Sequence, residues 1–425
     1  MNFKLSKYII PSIISMVLVG TYTNIDGFFI GNVTGDDGLA AINIVWPIVA
    51  LITSIGTGIG IGGSVMMSNM RGKNDENGAE RVKNTTLLLL TAVGILSGVI
   101  LWLASPALLS LMGAEGKVYA YALDYANIVC LGAVFQILGS GLVAILRNEQ
   151  KTYFSMICCI TGLVVHLVLD MLLVEGYTLA GVALSTVISQ AVIMVMCFFA
   201  MRIKREAGIS RGDVFPILKC STSPLGINFV PSVVLLFTNY FAMQEGGTAA
   251  VSAYAVMSYA VYTFDYIFQG VCDGVQPVIS YCYGAGDRKG EARALRVSAW
   301  ILVGFSIAFI ALTPALIAVM PMLFNTSGEA ELMMKSGFII YAISYPFKAA
   351  VKYICSYYYA CGETLISNLL IYADPLLLTP LFLVLLPIPF GMDGIWLALV
   401  AAQILVTAVG GVTLWRYLKK RKSVA

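Results

Sequence analysis

The sequence predicts an all-α integral membrane protein whose twelve transmembrane helices form two pseudo-symmetric six-helix bundles. Three observations carry that prediction. The 425 residues are 59% apolar and only 12% charged, with a mean hydropathy of +0.86, whereas a soluble domain is about 45–50% apolar and about 25% charged. The apolar residues gather in long runs, each of about 20 residues or more, the length a helix needs to cross the hydrocarbon. The second half of the chain also repeats the first. Soluble enzymes, nucleic-acid modules and disordered tails are excluded by composition alone. Backbone groups in lipid must be satisfied internally, which leaves helices or closed barrels, and these runs are far too long for barrel strands.

In chain order the runs are 8–31, 44–70, 85–111, 119–146, 154–174, 179–201, 224–244, 250–284, 297–323, 337–361, 365–386 and 394–417. The first exceeds the short apolar core of a signal peptide and lacks a small-residue cleavage site, so it reads as an uncleaved span. Pro11 in the first run, Pro47 and the glycine-rich stretch 56–63 in the second, and Pro277 in the eighth mark expected bends. The basic stretch 202–219 reads as a linker between a first bundle, 1–201, and a second, 220–425. With the N-terminus placed inside, all but four of the 26 Lys and Arg fall on inside segments; Lys117 and Lys335 fall outside, and Lys348 and Lys352 lie within the tenth span. That bias puts both termini in the cytoplasm. The nine cysteines form no C-x-x-C pair and sit almost entirely in apolar runs, so they read as small core hydrophobes and not as a disulfide frame.

The repeat is legible residue by residue. Gly35, Ala41, Gly72, Asp75, Gly78 and Arg81 recur 212 positions on as Gly247, Ala253, Gly284, Asp287, Gly290 and Arg293. Gly181, Leu184, Val187 and Gln190 recur 213 positions on as Gly394, Leu397, Val400 and Gln403. The loop pattern G-x-x-D-x-x-G-x-x-R thus follows the second span of each half. Six spans per copy give both halves one orientation, related by an axis along the membrane normal, as in parallel-repeat transporters. Two lobes about a central cleft are the geometry that alternating access requires, so the chain reads as a secondary transporter.

Several stretches, taken in order, resemble the multidrug and toxic compound extrusion (MATE) family over the whole chain. They are Ile10-Pro11-Ser12 through Asn24-Ile25-Asp26-Gly27-Phe28-Phe29-Ile30-Gly31, then Leu169-Asp170, the segment from Gly181-Val182-Ala183 to Gln190, Gly274-Val275-Gln276-Pro277, and Tyr281-Cys282-Tyr283-Gly284-Ala285-Gly286. The resemblance implies two six-helix lobes forming a V-shaped cleft, and efflux driven by a sodium or proton gradient. An acid in the first span and another in the fifth resemble the prokaryotic DinF-like branch. That implies a multi-pass protein of the prokaryotic cell membrane, working as a monomer. The family's coupling-ion site is a first-span acid, a fifth-span acid, an asparagine one turn earlier and a sixth-span threonine. Carried over, these are Asp26, Asp170, His166 and Thr186. The chain departs from the pattern at 166, where its single histidine stands in place of asparagine.

An acid at the centre of a spanning helix costs about 2.5–3.5 kcal/mol on insertion scales, so it persists where it is paired, faces a cavity or has work to do. His166 and Asp170 are four residues apart and share a helix face. Sodium, a hard cation, prefers oxygen ligands, whereas imidazole carries protons near physiological pH. The expected coupling ion is therefore the proton, with sodium at Asp26 and Asp170 as the alternative and no other cofactor or metal. Pro11, about four turns before Asp26, is expected to weaken the first helix and let it bend.

The second half lacks these acids: at the repeat offset Asp26 falls on Thr238, beside Asn239, and Asp170 falls on Leu383. Instead Asp265, Gln269 and Asp273 are spaced i, i+4, i+8 in the eighth span, with Gln276 beyond. Lys348 and Lys352 are spaced i, i+4 in the tenth. Two acids facing two bases predict neutralising pairs, either structural or part of a polar substrate pathway; lysines left unpaired would point to an anionic or zwitterionic cargo. Asp124 and Asp374 read as boundary residues. Within transport the rival reading is a flippase or exporter of a lipid-linked or other amphipathic metabolite. An intramembrane enzyme is disfavoured by the single histidine and the absence of a G-x-S-x-G turn. There is no P-loop motif, so ATP is not the expected energy source. The expected partners are the bilayer, a small-molecule substrate and H+ or Na+, with no nucleic acid.

Overall fold

The computed structural model describes residues 4–324, 326 and 328–423; the side chains of Thr23, Asn24, Asp36, Arg205, Lys422 and Ser423 lie outside the described set. Long apolar segments fold as helices because only the i to i−4 ladder satisfies their backbone in lipid. The spans are α1 (Ser6–Gly35), α2 (Asp37–Gly72) and α3 (Glu76–Leu111). Next comes α4, in which Gly116–Leu131 continues after a 57° bend as Ala133–Asn148. The helical segment Thr152–Ala200 contains α5 and α6, and Arg211–Ala285 contains α7 and α8. Then follow α9 (Arg288–Phe324), α10 (Gly328–Ala342 and Tyr345–Ala360, meeting at 49°), α11 (Thr364–Phe390) and α12 (Met392–Ser423). Among the described residues, eight helices are long and apolar enough to cross, and up to ten if each bent pair is one span. The two longest, of 49 and 75 residues, would extend roughly 70 and 110 Å if straight, against about 30 Å of hydrocarbon. Each doubles back at a residue with positive φ, Thr178 (φ 50, ψ −127) and Gly247 (φ 62, ψ −151), which brings the crossings to twelve.

The repeat is written in the backbone. Gly35, between α1 and α2, has φ 64 and ψ −146, nearly the values of Gly247. Thr178 matches Gly391, 213 positions on, at φ 53 and ψ −133. Asp75 accepts the Gly78 N–H at 2.8 Å at the start of α3, and Asp287 accepts the Gly290 N–H at 2.9 Å at the start of α9. Gly72 and Gly284 meet across the repeat axis: a Cβ on Gly72 would lie 2.3 Å from the Tyr281 carbonyl oxygen, and one on Gly284 would lie 2.1 Å from that of Asn69. The shared loop pattern therefore encodes two close approaches and two helix caps.

Each half has its own apolar core. One is centred on residues such as Ile30, Ile52, Val129 and Val182, the other on Met257, Phe268, Phe338 and Trp396. The lobes join over the half of the bundle that carries both termini. There Gly270 and Gly274 of α8 sit on the backbone of Ile13 and Ile9 in α1, and Gly58 and Gly62 of α2 sit on Leu225 and Ser221 in α7; the Tyr266 ring covers Gly20. Beyond Gly20 and Tyr266 no side-chain hydrogen bond or ion pair among the described residues links the lobes.

Pro11 lies within unbroken helix in α1, whose only non-helical residue is its last, Gly35. The Lys7 carbonyl that Pro11 cannot engage accepts the Thr152 hydroxyl at 2.8 Å, so a tertiary bond replaces the missing helical one. The stretch 202–219 is not all linker: α7 begins at Arg211, and Asn84 of α3 donates to the carbonyls of Lys204 and Gly208 in the true connection. All nine cysteines are free.

Candidate functional site

Two buried polar clusters stand out, one in each lobe. In the first, Asp26 of α1 is 6% exposed, and His166 and Asp170 of α5 are fully buried. The single Nε2 of His166 lies 2.8 Å from Asp26 Oδ1 and 3.1 Å from Asp170 Oδ2. The i, i+4 spacing of His166 and Asp170 puts both on one face of α5, and the hairpin that ends α1 presents Asp26 to that face. The ligand atoms of the three groups lie within 4.8 Å of one another. His166 Nδ1 and Asp170 Oδ1 are buried without a hydrogen bond of good geometry, with Ser185 of α6 beside both residues. No Lys or Arg among the described residues pairs with either carboxylate.

Thr186 of α6 is adjacent but gives its hydroxyl to the Val182 carbonyl at 3.1 Å. It is tied to the cluster through Tyr125 of α4, whose side chain reaches both Thr186 and Asp26. The Tyr22 ring lies 4.7 Å from the imidazole. Sequence reasoning missed Tyr22 and Tyr125, since tyrosines are common in apolar runs and neither has a distinguishing spacing.

Two carboxylates around one imidazole nitrogen leave negative charge in a low-dielectric setting unless a cation arrives. A proton satisfies the cluster on any of its three members. A sodium ion would have to use the carboxylates and find a ring nitrogen where an oxygen is the better ligand.

The second cluster lines a cavity among α7, α8, α10, α11 and α12. Its polar lining is Tyr254, Tyr262, Asp265, Tyr341, Lys348, Lys352, Asp374, Thr379 and Gln403, beside aliphatic side chains such as Ile227, Val234 and Leu399. Lys348 Nζ is 3.1 Å from Asp265 Oδ2, as the spacing predicted, and 5.0 Å from the centre of the Tyr341 ring.

The second predicted pair does not form. Lys352 instead donates to the Gln269 side-chain oxygen at 3.4 Å. Asp273 accepts from Gln269 at 2.7 Å and pairs with Arg147 of α4, in the other lobe, at 3.1 Å. Arg147 and Asp273 are both almost wholly buried, so this bridge belongs to the seam between the lobes. Gln276 belongs to the same seam, where it accepts from Asn148 at 3.2 Å. Asn239 is half-buried with an unpartnered Oδ1 and does not line the cavity. Asp374 is not a boundary residue. It lies mid-way along α11, in a π-helical turn at Asp374–Leu378 that includes Pro375. There it accepts from the Thr379 hydroxyl at 2.6 Å and from the Gln403 amide.

A MatE family model matches residues 11–172 and 224–380. The multidrug export protein MepA of Staphylococcus saprophyticus is 26% identical over 284 residues, 64% of this chain and 62% of its own length. MepA of Staphylococcus aureus is 25% identical over 305 residues, 69% and 67% of the two chains. The chain thus spans a little over three-fifths of the length of the first of these relatives. Among solved structures, a MOP superfamily transporter from Pyrococcus furiosus, described as having a binding pocket of reversed polarity, superposes with a TM-score of 0.91 at 21% identity. It covers 98% of this chain and 95% of that one. An outward-facing multidrug resistance MATE family transporter does so at 0.89 and 21%, with the same coverage. At such identities the structures establish a shared fold.

Proposed function

The chain belongs to the MatE family, and from that premise we propose that it is a secondary active antiporter that exports small amphipathic, drug-like compounds by alternating access. Protons moving inward through Asp26, His166 and Asp170 drive it. The observation that carries the reading is the imidazole nitrogen placed between two buried carboxylates that no Lys or Arg among the described residues pairs with. The names of the staphylococcal relatives support the cargo class. The Lys/Arg bias supports a prokaryotic cell-membrane protein with both termini cytoplasmic, and the seam between the lobes then lies on the cytoplasmic side with the cleft opening outward.

Coupling follows from where Asp26 sits. The helix that carries it, α1, also packs its first turns against Gly270 and Gly274 of the opposite lobe. Protonation of Asp26 removes the charge that holds its side chain to His166 on α5. A change in that contact moves α1, and α1 is half of the seam. Thr186 and Tyr125 supply hydroxyls that follow the carboxylate. Sodium at the same two acids is the alternative coupling ion.

The test is transport by the purified protein in proteoliposomes, with proton and sodium gradients imposed separately on a cationic dye and an anionic analogue. The expected result is dye movement driven by the pH gradient and not by sodium alone. Full transport from sodium alone, independent of pH, overturns proton coupling. Absence of gradient-driven movement of either dye overturns the transport reading.

A further inference from the structure

Among the described residues, the second-lobe cavity contains one cation and one anion that no ion pair neutralises. Lys348 and Asp265 neutralise each other. The Lys352 ammonium has only the long contact to the Gln269 carboxamide, with no carboxylate within 4.0 Å among the described residues. Asp374, 7% exposed, is hydrogen-bonded by the neutral donors Thr379 and Gln403, and the cation it feels, Lys348, is already paired with Asp265. Both groups line the same cavity, and Tyr254, Tyr262 and Tyr341 stand in its wall. A charge at this depth is costly without a partner. A ligand that brings a carboxylate to Lys352 and a cation to Asp374 relieves both at once. A simple cation gains at Asp374 and is repelled at Lys352, and a simple anion meets the converse, so the pair selects by repulsion as well as attraction. The tyrosine rings offer faces for a flat body carrying a delocalised positive charge.

We propose that this cavity is a binding site for amphoteric organic molecules, with the carboxylate taken by Lys352 and the cationic group by Asp374. The proposal deepens the export reading by naming the charge type of the cargo, and it rests on that reading for its physiological sense.

The experiment is equilibrium binding to the purified full-length chain in detergent, without any ion gradient, followed by fluorescence anisotropy. The probes are three xanthene dyes of one size: a zwitterionic rhodamine with a free carboxylate, its cationic methyl ester, and anionic fluorescein. The zwitterion is expected to bind about tenfold more tightly than either other dye, the scale of one charge-assisted contact. Lys352→Gln erases the preference over the ester, Asp374→Asn erases the preference over fluorescein, and Lys352→Arg keeps both. Equal binding of the three dyes by the unaltered chain overturns the proposal, as does tightest binding of the ester. So does a uniform loss for all dyes in both neutral variants while Lys352→Arg behaves as the parent. A chain that ranks the dyes as expected yet moves none of them in liposomes overturns the export reading and leaves the binding site standing.

Discussion

Asp26 on α1 and Thr238 on α7 occupy one repeat position, 212 residues apart, and face opposite fates. Asp26 meets an imidazole and a second acid. Thr238, fully buried, turns its hydroxyl back to the Val234 carbonyl of its own helix. Asp170 and Leu383 make the same contrast 213 positions apart. The lobes share their backbone where the chain must turn or touch, at Gly35 and Gly247 or Gly72 and Gly284, and diverge where side chains meet inside each bundle. The first-lobe cluster brings Asp26 and Asp170 together where no described Lys or Arg pairs with them, so its charge depends on what arrives from outside. The second brings its own lysines, so its charge is partly settled within the protein. Duplication preserved the hinge points of two bundles while their interiors became different devices.

The largest expected effect separates those interiors. Asp26→Asn reduces gradient-driven dye transport to the level of empty liposomes with little change in thermal unfolding, because a carboxamide still bonds His166. Asp265→Asn strands the Lys348 ammonium in the other lobe and lowers stability by about 1–3 kcal/mol. If Asp26→Asn transports normally, or if the two variants behave alike, the contrast between the lobes fails.

The bridge between the lobes comes next. Arg147→Met leaves Asp273 buried and unpaired, with an expected loss of about 3–5 kcal/mol, whereas adding Asp273→Leu recovers most of it. Thermal unfolding of the full chain in detergent reads both, and an additive double variant would show that the two groups do not act as a pair.

The smallest effect tests the backbone symmetry. Thr178 holds a positive φ that its counterpart Gly391 adopts freely. Thr178→Gly should raise stability by about 1 kcal/mol, and Gly391→Ala should lower it by about 1–2 kcal/mol. Opposite signs at matched positions are the signature sought in the melting curves.

The first-lobe cluster was readable in part because two of its members lie on one face of one helix, where spacing alone brings them together. Asp26 joined them through a family resemblance, and Tyr125 carried no signal. The Asp265–Lys348 pair followed from matched i, i+4 spacings on two helices. The same spacing misassigned Asp273 and Lys352, since a partner from a third helix, Arg147, reached Asp273 first. Along the chain Arg147 is only one more basic residue at the end of a span. Asp374 looked like a boundary residue because the π-helical turn that carries it into the cavity leaves no mark on hydropathy.

By itself the sequence determined the solvent, the number of crossings, the expected polarity and the duplication. Lipid imposes those on composition and local periodicity, which a linear chain displays in full. Only the tertiary structure decided which buried charges meet across helices, that Pro11 leaves α1 helical, and that Lys352 and Asp374 find neutral hydrogen-bond partners. Such pairings depend on how distant helices cross, and a difference of one turn or a few ångströms there, invisible to spacing along the chain, changes the partner.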